Sequence, residues 1–215
     1  MASRPDPTQS PGPDGARMGH NGHNQTRRRG REDAMVLGRS RPGQGVNVYF
    51  DIDGVLNLYG PDPLSQTPDD HDLWSSYHSQ SMMLTYSPEM ITRINEILAI
   101  PGVTPFWLTT WEKEAAWFGS QVGLTGAEEW QWLQAVGVTP SGQWQKFASI
   151  RSHLKVARPR LAIWFDDDLA IQSDARAWTD RLGAVHAHAP DPRIGLRPSE
   201  VDRMEALIRS QTSIR

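Results

Sequence analysis

Four short runs of mostly apolar residues stand out along the chain and predict buried β-strands. They cover residues 46–50, 103–108, 161–165 and 184–188. The first three are rich in β-branched and aromatic residues, which is typical of strands covered on both faces. Each of these three is followed by polar side chains, namely Asp51, then Thr109 with Thr110, then Asp166-Asp167-Asp168.

The segments between these runs show the spacing of amphipathic helices. One helix is predicted to begin at Ser87-Pro88-Glu89, with a capping Ser, Pro at the first helical position and apolar residues at Met90, Ile91, Ile94, Ile97 and Leu98. Further helices are predicted at residues 112–121, 127–136, 145–154, 175–182 and 198–209.

The alternation of strands and helices predicts an α/β fold, a doubly wound parallel sheet with flanking helices. Ligands of such folds bind at the carboxyl ends of the strands, where the polar residues fall. The short stretch 58–86 is rich in Pro, Asp, Ser and Tyr, and we expect it to form a flap or hairpin rather than a large cap domain.

Composition divides the chain into a tail, residues 1–45, and one domain, residues 46–210. The tail holds eight Arg and four acidic residues, a net +4, so the remainder carries −7 of the total charge of −3. Its five Pro, eight Gly and few aliphatic residues predict disorder. The Arg-rich stretch 20–31 is either a nucleic-acid arm or a solvated leader, with Met18 and Met35 as alternative starts, and we favour the leader.

Several kinds of site and location are excluded or disfavoured by the composition. The chain has no Cys, so disulfides, thiolate zinc sites and cysteine nucleophiles are excluded. No run is long and apolar enough for a membrane span and no signal pattern is present, so we expect a soluble, cytoplasmic protein without a membrane partner. His71, His78, His186 and His188 lack metal-site spacing, and the apolar surroundings of Trp107, Trp117 and Trp164 predict that these rings pack in the core.

Asp51-Ile52-Asp53-Gly54 is the strongest candidate for chemistry. The two carboxylates are two residues apart, so they project from the same side of the chain as it leaves the first strand. Gly54 permits a sharp turn there. Such a pair suits a metal site or acid/base catalysis, and it is also compatible with an ordinary polar strand end.

Four segments in order resemble the motifs of the haloacid dehalogenase superfamily. They are Val48-Tyr49-Phe50-Asp51-Ile52-Asp53-Gly54-Val55, Phe106-Trp107-Leu108-Thr109, Lys146 near a helix start, and Ile163-Trp164-Phe165-Asp166-Asp167. The resemblance covers residues 46–210 and implies a magnesium-dependent phosphohydrolase.

The resemblance also implies roles for these residues. Asp51 would be the nucleophile that forms an aspartyl-phosphate, and Asp53 the acid and then the base. Mg²⁺ would be held by Asp51, by the backbone carbonyl of Asp53 and by Asp166 or Asp167, of which we favour Asp167, with Asp168 as a solvated or capping residue. Thr109 or Thr110, with Thr109 preferred, would bind the phosphoryl group, and Lys146 would stabilise its charge.

The position of Lys146 is supported by the scarcity of lysine. Only Lys113, Lys146 and Lys155 occur in a chain whose other cations are Arg. A position that needed only a positive charge would more often have received Arg, so Lys146 points to a compact charge at the site. An ordinary surface position on a helix is the alternative.

The small insertion implies an open site that admits a large substrate. The chain also resembles the capless domains of multidomain RNA-repair proteins, which implies a phosphorylated substrate such as a polynucleotide end. Two alternatives remain: a phosphatase or phosphotransferase for small nucleotides, and a catalytically idle scaffold that binds a partner. No oligomeric state is predicted.

Overall fold

The computed structural model describes Gly43, residues 45–59 and residues 72–212. The predicted tail, apart from Gly43 and Gly45, and the middle of the predicted insertion lie outside these residues. The described residues contain seven strands: β1 (Val46–Phe50), β2 (Tyr77–Ser79), β3 (Leu84–Tyr86), β4 (Val103–Trp107), β5 (Gln131–Trp132), β6 (Leu161–Phe165) and β7 (Val185–His188). The same residues contain five α-helices: α1 (Pro88–Leu98), α2 (Ala115–Val122), α3 (Gln145–Ala157), α4 (Ser173–Thr179) and α5 (Pro198–Thr212).

Five of the strands form one parallel sheet in the order β5-β4-β1-β6-β7. The central strand β1 pairs residue for residue with both neighbours, and Phe50 lies opposite Trp107 on one side and Phe165 on the other. The residues that follow these three strands therefore emerge at the same level of one edge. This confirms the predicted α/β fold with a parallel sheet.

Helices cover both faces of the sheet because strand residues alternate between two apolar clusters. On one face Val46, Val48 and Phe50 pack with residues of α1, α2 and α5. On the other face Tyr49 and Trp164 pack with residues of α3 and α4. This arrangement leaves the carboxyl edge of the sheet as the place where polar side chains can meet.

Helix α1 begins as predicted. The Ser87 hydroxyl accepts a hydrogen bond from the amide of Met90 at 3.1 Å, and Pro88 is the first helical residue. Met90, Ile91, Ile94 and Ile97 are buried, and each contributes roughly 1.5–3 kcal/mol by leaving water. Helices α3 and α5 also match their predicted starts, and both continue three residues further than predicted.

The helix predicted at residues 127–136 is wrong. Residues Ala127–Glu129 form one turn of 3₁₀ helix and the chain then enters β5, a strand that was not predicted. The amide of Leu133 donates to the carbonyl of Trp107, and the indole of Trp107 donates to the carbonyl of Ala127. Backbone groups that would have been paired within a helix therefore form hydrogen bonds with the free edge of β4.

The insertion contributes a small antiparallel hairpin. Strands β2 and β3 pair from Tyr77 opposite Tyr86 to Ser79 opposite Leu84. The hairpin is joined to the sheet through Asn57, whose side-chain oxygen accepts from the amide of Thr85 at 3.0 Å. The described part of the insertion is therefore a hairpin of the predicted kind.

Tryptophan packing was predicted correctly at two of three positions. Trp107 and Trp164 are buried, whereas the Trp117 side chain is 46% exposed, so its predicted core position is wrong. Trp117 lies on α2 between Ala115 and Phe118, the residues of that helix that face the core. None of the described helices has the length and apolar character that a membrane crossing requires.

Candidate active site

Four polar side chains from separate segments are buried together at the carboxyl edge of the sheet. Asp51 follows β1, Thr109 follows β4, Asp166 follows β6, and Lys146 is the second residue of α3. All four are less than 5% exposed. Burying three ionisable groups is costly unless they are paired, so their mutual contacts decide what the site can do.

Lys146 lies between the two buried carboxylates. Its ammonium group contacts Asp51 Oδ2, lies 3.0 Å from Asp166 Oδ2 and is 3.9 Å from Asp168 Oδ2. Burial alone would lower the pKa of Lys146, but Asp166 and Asp51 outweigh it and raise the pKa. Lys146 is therefore a fixed positive charge at the centre of the site.

Asp51 is held on both of its oxygens. The amide of Ile52 donates to Oδ1 at 2.7 Å, and Lys146 donates to Oδ2. The nearby Thr109 hydroxyl also lowers the pKa of this carboxylate. Burial raises the pKa of Asp51, and these donors act against that rise. The donors favour the charged form and hold the carboxylate in one orientation.

Asp166 is the most enclosed of the three acids that follow β6. Its Oδ2 accepts from Lys146 and from the Trp164 indole at 3.3 Å, and its Oδ1 accepts from the amide of Asp168 at 3.2 Å. Asp166, rather than Asp168, therefore caps the short 3₁₀ helix Asp167–Ala170. Burial and the nearby Asp51 raise the pKa of Asp166.

Asp167 is only partly buried. Its carboxylate lies beside Gly54, in the turn that follows Asp51 and Asp53. Burial, with Asp51 and Asp168 nearby, raises the pKa of Asp167 to about 6. Asp51, Asp166 and Asp167 each offer an oxygen within 4.8 Å of the others, and they form the one group of three such ligands among the described residues. Three carboxylates face one ammonium here, so the site carries excess negative charge.

This group of oxygens fits a metal ion. Hard divalent cations prefer carboxylate oxygens, and a cation would offset both the burial and the repulsion from Asp51 and Asp168 that raise the pKa of Asp167. The predicted ligands Asp51, Asp166 and Asp167 are therefore brought together. The carboxylate of Asp53 is not part of the group, and a contact through the backbone carbonyl of Asp53 stays a prediction.

Asp53 lies beside the cluster with different partners. Its Oδ1 accepts from the Asn57 side chain at 2.8 Å, and its Oδ2 accepts from the Trp111 indole at 2.7 Å. Asp53 is partly buried, so a small molecule can reach it. Neither Asn57 nor Trp111 was predicted as a site residue, although both lie within a few residues of the predicted motifs.

The two candidate threonines are clearly distinguished. Thr109 is fully buried and lowers the pKa of Asp51, and its hydroxyl accepts from the amide of Trp111 at 3.4 Å. Thr110 is exposed. The preference for Thr109 therefore agrees with the geometry, while phosphoryl binding by either residue stays a prediction.

Two of the described histidines have side-chain partners outside the acidic group. His78 pairs with the Thr85 hydroxyl at 2.8 Å, and His188 Nε2 lies 2.6 Å from Glu200 Oε1. His186 is exposed, and His71 lies outside the described residues.

Comparison of the chain with protein-family models, with curated proteins and with solved structures found no match.

Proposed function

We propose that the chain is a magnesium-dependent phosphomonoesterase of the haloacid dehalogenase type, which acts through an aspartyl-phosphate. One observation carries the proposal: the buried ammonium of Lys146 pairs with Asp51 and Asp166, while the buried hydroxyl of Thr109 lies near enough to lower the pKa of Asp51. A carboxylate nucleophile for phosphorus needs a fixed cation and a hydroxyl donor beside it, and both are present.

In the first half of the reaction an Asp51 oxygen attacks phosphorus and the bond from phosphorus to the leaving oxygen breaks. Asp53 gives its proton to that oxygen, so an alcohol departs and an acyl-phosphate remains on Asp51. In the second half Asp53 takes a proton from water, and the water oxygen attacks phosphorus. Inorganic phosphate leaves and the Asp51 carboxylate is restored, so the net reaction consumes one water per ester.

Lys146 and Thr109 stabilise the negative charge of the phosphoryl group during both halves of the reaction. Lys146 attracts the phosphoryl oxygens toward a carboxylate that would otherwise repel them. Thr109 donates a hydrogen bond to a phosphoryl oxygen.

Asp51, Asp166 and Asp167 are the carboxylates that would hold Mg²⁺. When bound, the ion neutralises phosphoryl and carboxylate charge and orients the ester. The raised pKa of Asp167 is consistent with this assignment, because burial and the nearby Asp51 and Asp168 disfavour its charged form and a cation would favour it.

A polynucleotide end is the substrate we propose for this site. The described part of the insertion is a short hairpin, which is too small to enclose a ligand. The Trp117 ring is 46% exposed and stacks on Trp111, which contacts Asp53. An exposed ring at this place suits base stacking, which is worth about 1–3 kcal/mol per base.

The decisive experiment is phosphate release with and without Mg²⁺ from an aryl phosphate, from mononucleotides and from 3′- and 5′-phosphorylated oligonucleotides. Asp51→Asn keeps the size of the side chain and removes the nucleophile, so turnover is expected to fall to background. Asp174→Asn, an exposed acid on α4, is the matched control and is expected to keep full activity.

Turnover that survives Asp51→Asn would contradict the mechanism. A preference for mononucleotides over oligonucleotides would point to the small-nucleotide alternative. If the folded wild-type protein released no phosphate from any of these substrates, the proposed activity would be wrong and the idle scaffold would be favoured.

A further inference from the structure

The carboxylate of Asp53 is held by two neutral donors. Asn57 occupies Oδ1 at 2.8 Å and the Trp111 indole occupies Oδ2 at 2.7 Å. Asp51 differs, because it forms an ion pair with the ammonium group of Lys146. A neutral N–H orients a carboxylate without placing a full positive charge beside it.

The ring of Trp111 is itself fixed in place. It stacks on Trp117 with a centroid distance of 6.2 Å and an angle of 9° between the planes. It also meets Phe118 edge-on at 5.8 Å, and Phe118 is fully buried in the core. The indole N–H is therefore directed at Asp53 by side chains from α2, and it does not depend on a mobile loop.

We propose that Trp111 is a positioning residue for Asp53, holding its carboxylate toward the leaving oxygen. The proposal rests on the proposed function, because it takes Asp53 to be the proton donor. Asn57 fixes the opposite oxygen and also binds the amide of Thr85, so the two donors together define the plane of the carboxylate. Loss of the indole N–H leaves one oxygen free and lets the plane rotate.

The test is a leaving-group series on the full chain, comparing the wild type with Trp111→Phe. Phe keeps a ring against Trp117 and Phe118 but lacks the N–H. The ratio kcat/KM reports events up to departure of the leaving group, and a poor leaving group such as an alkyl alcohol needs the proton that a nitrophenol does not. We expect a decrease of about tenfold for an alkyl phosphate and less than about twofold for a nitrophenyl phosphate, since general acid catalysis as a whole contributes 10²–10⁴-fold.

Two further variants make this series decisive. Asp53→Asn is expected to show the same dependence on the leaving group with a larger loss on the alkyl ester. Trp132→Phe, a change at a tryptophan of the edge strand β5 that is 44% exposed, is expected to leave both ratios unchanged. Equal losses on the two esters with Trp111→Phe, alongside the expected behaviour of Asp53→Asn, would overturn the role of Trp111.

A second readout separates this proposal from the proposed function. The nine tryptophans give nine indole N–H resonances, and the resonance that disappears in Trp111→Phe identifies Trp111. That resonance is expected to move upfield in Asp53→Asn, because an amide is a weaker acceptor than a carboxylate. An unchanged resonance would overturn the positioning role even in an active enzyme, and a failure of Asp53→Asn to discriminate between the esters would instead overturn the role of Asp53.

Discussion

A β-carbon added to Gly54 would lie 2.6 Å from Cγ of Asp167, closer than such atoms can approach. Gly54 also has a φ of +72°, a conformation that costs other residues roughly 1–2 kcal/mol. The turn after Asp53 therefore depends on glycine twice, once for its backbone and once for the space that Asp167 occupies.

Gly54→Ala is expected to weaken Mg²⁺ binding by about 10–100-fold, because the Asp167 side chain must rotate away from its place beside Asp51. The free energy of unfolding should fall by about 1 kcal/mol from the φ alone. Gly123→Ala is the matched control, since Gly123 has a φ of +85° and no atom within 4 Å of the added carbon.

Calorimetric Mg²⁺ titration and urea unfolding of both variants provide the measurement. Equal Mg²⁺ affinity in the two variants would show that the contact between Gly54 and Asp167 does not matter to metal binding.

Lys146→Met should lower the free energy of unfolding by about 3–5 kcal/mol, because it leaves two buried carboxylates without their common partner. Lys155→Met, on the exposed side of the same helix, should change it by no more than about 0.5 kcal/mol. Urea unfolding at pH 7 measures both. A loss for Lys146→Met as small as that of the control would mean that the buried charges are compensated by other groups.

Asp167→Asn should raise the thermal midpoint of the metal-free protein above pH 6. The pKa of Asp167 is raised to about 6, so the folded protein disfavours its charge in that range, and an uncharged amide removes the repulsion from Asp51 and Asp168. Mg²⁺ should raise the midpoint of the wild type and have much less effect on the variant. Thermal unfolding with and without Mg²⁺ measures both effects, and equal stabilisation by Mg²⁺ would remove Asp167 from the ligand set.

His153 should make the protein less stable in mild acid. Its Nδ1 lies 2.9 Å from the Tyr49 hydroxyl and its ring meets Phe106 at 4.7 Å. Burial lowers the pKa of His153 below 6.5, so the unfolded chain binds the proton more strongly than the folded one. Stability from this residue is therefore complete above pH 6.5 and is lost as pH falls toward the lower pKa of the folded state.

The measurement is the difference in unfolding free energy between the wild type and His153→Gln from pH 8 to pH 5. The free energy of unfolding of the wild type should fall relative to that of the variant as pH falls below 6.5. A difference that stays constant across this range would show that His153 has the same proton affinity in both states.

Much of the fold was predictable because its central strands are continuous apolar runs. β1 and β6 are buried along their whole length, and β4 is buried at Phe106 and Trp107. Burial of this kind appears in the sequence as a continuous apolar run. β5 could not be found in the same way. It has two residues, Gln131 and Trp132, both exposed, and it exists because β4 offers a free edge to pair with.

The acidic residues and Lys146 were predictable because they follow the strands or begin a helix in a recognisable order. The hydrogen-bond donors that hold the carboxylate of Asp53 were not predictable. Trp111 lies 58 residues from Asp53 in the chain, and no pattern indicates which of nine tryptophans turns its N–H toward a carboxylate. The exposed Trp117 was mispredicted for a related reason, since an apolar neighbourhood in sequence does not show which side of a helix faces outward.

The contact between Lys146 and Asp51 joins residues 95 positions apart, and Asp166 belongs to a third segment of the chain. Closing so long a loop costs conformational entropy that must be recovered by packing β1, β6 and α3 together. The charges of the site therefore meet only in a chain whose three segments are packed together. The contact between Lys146 and Asp51 thus reports that β1 and α3 have their native arrangement.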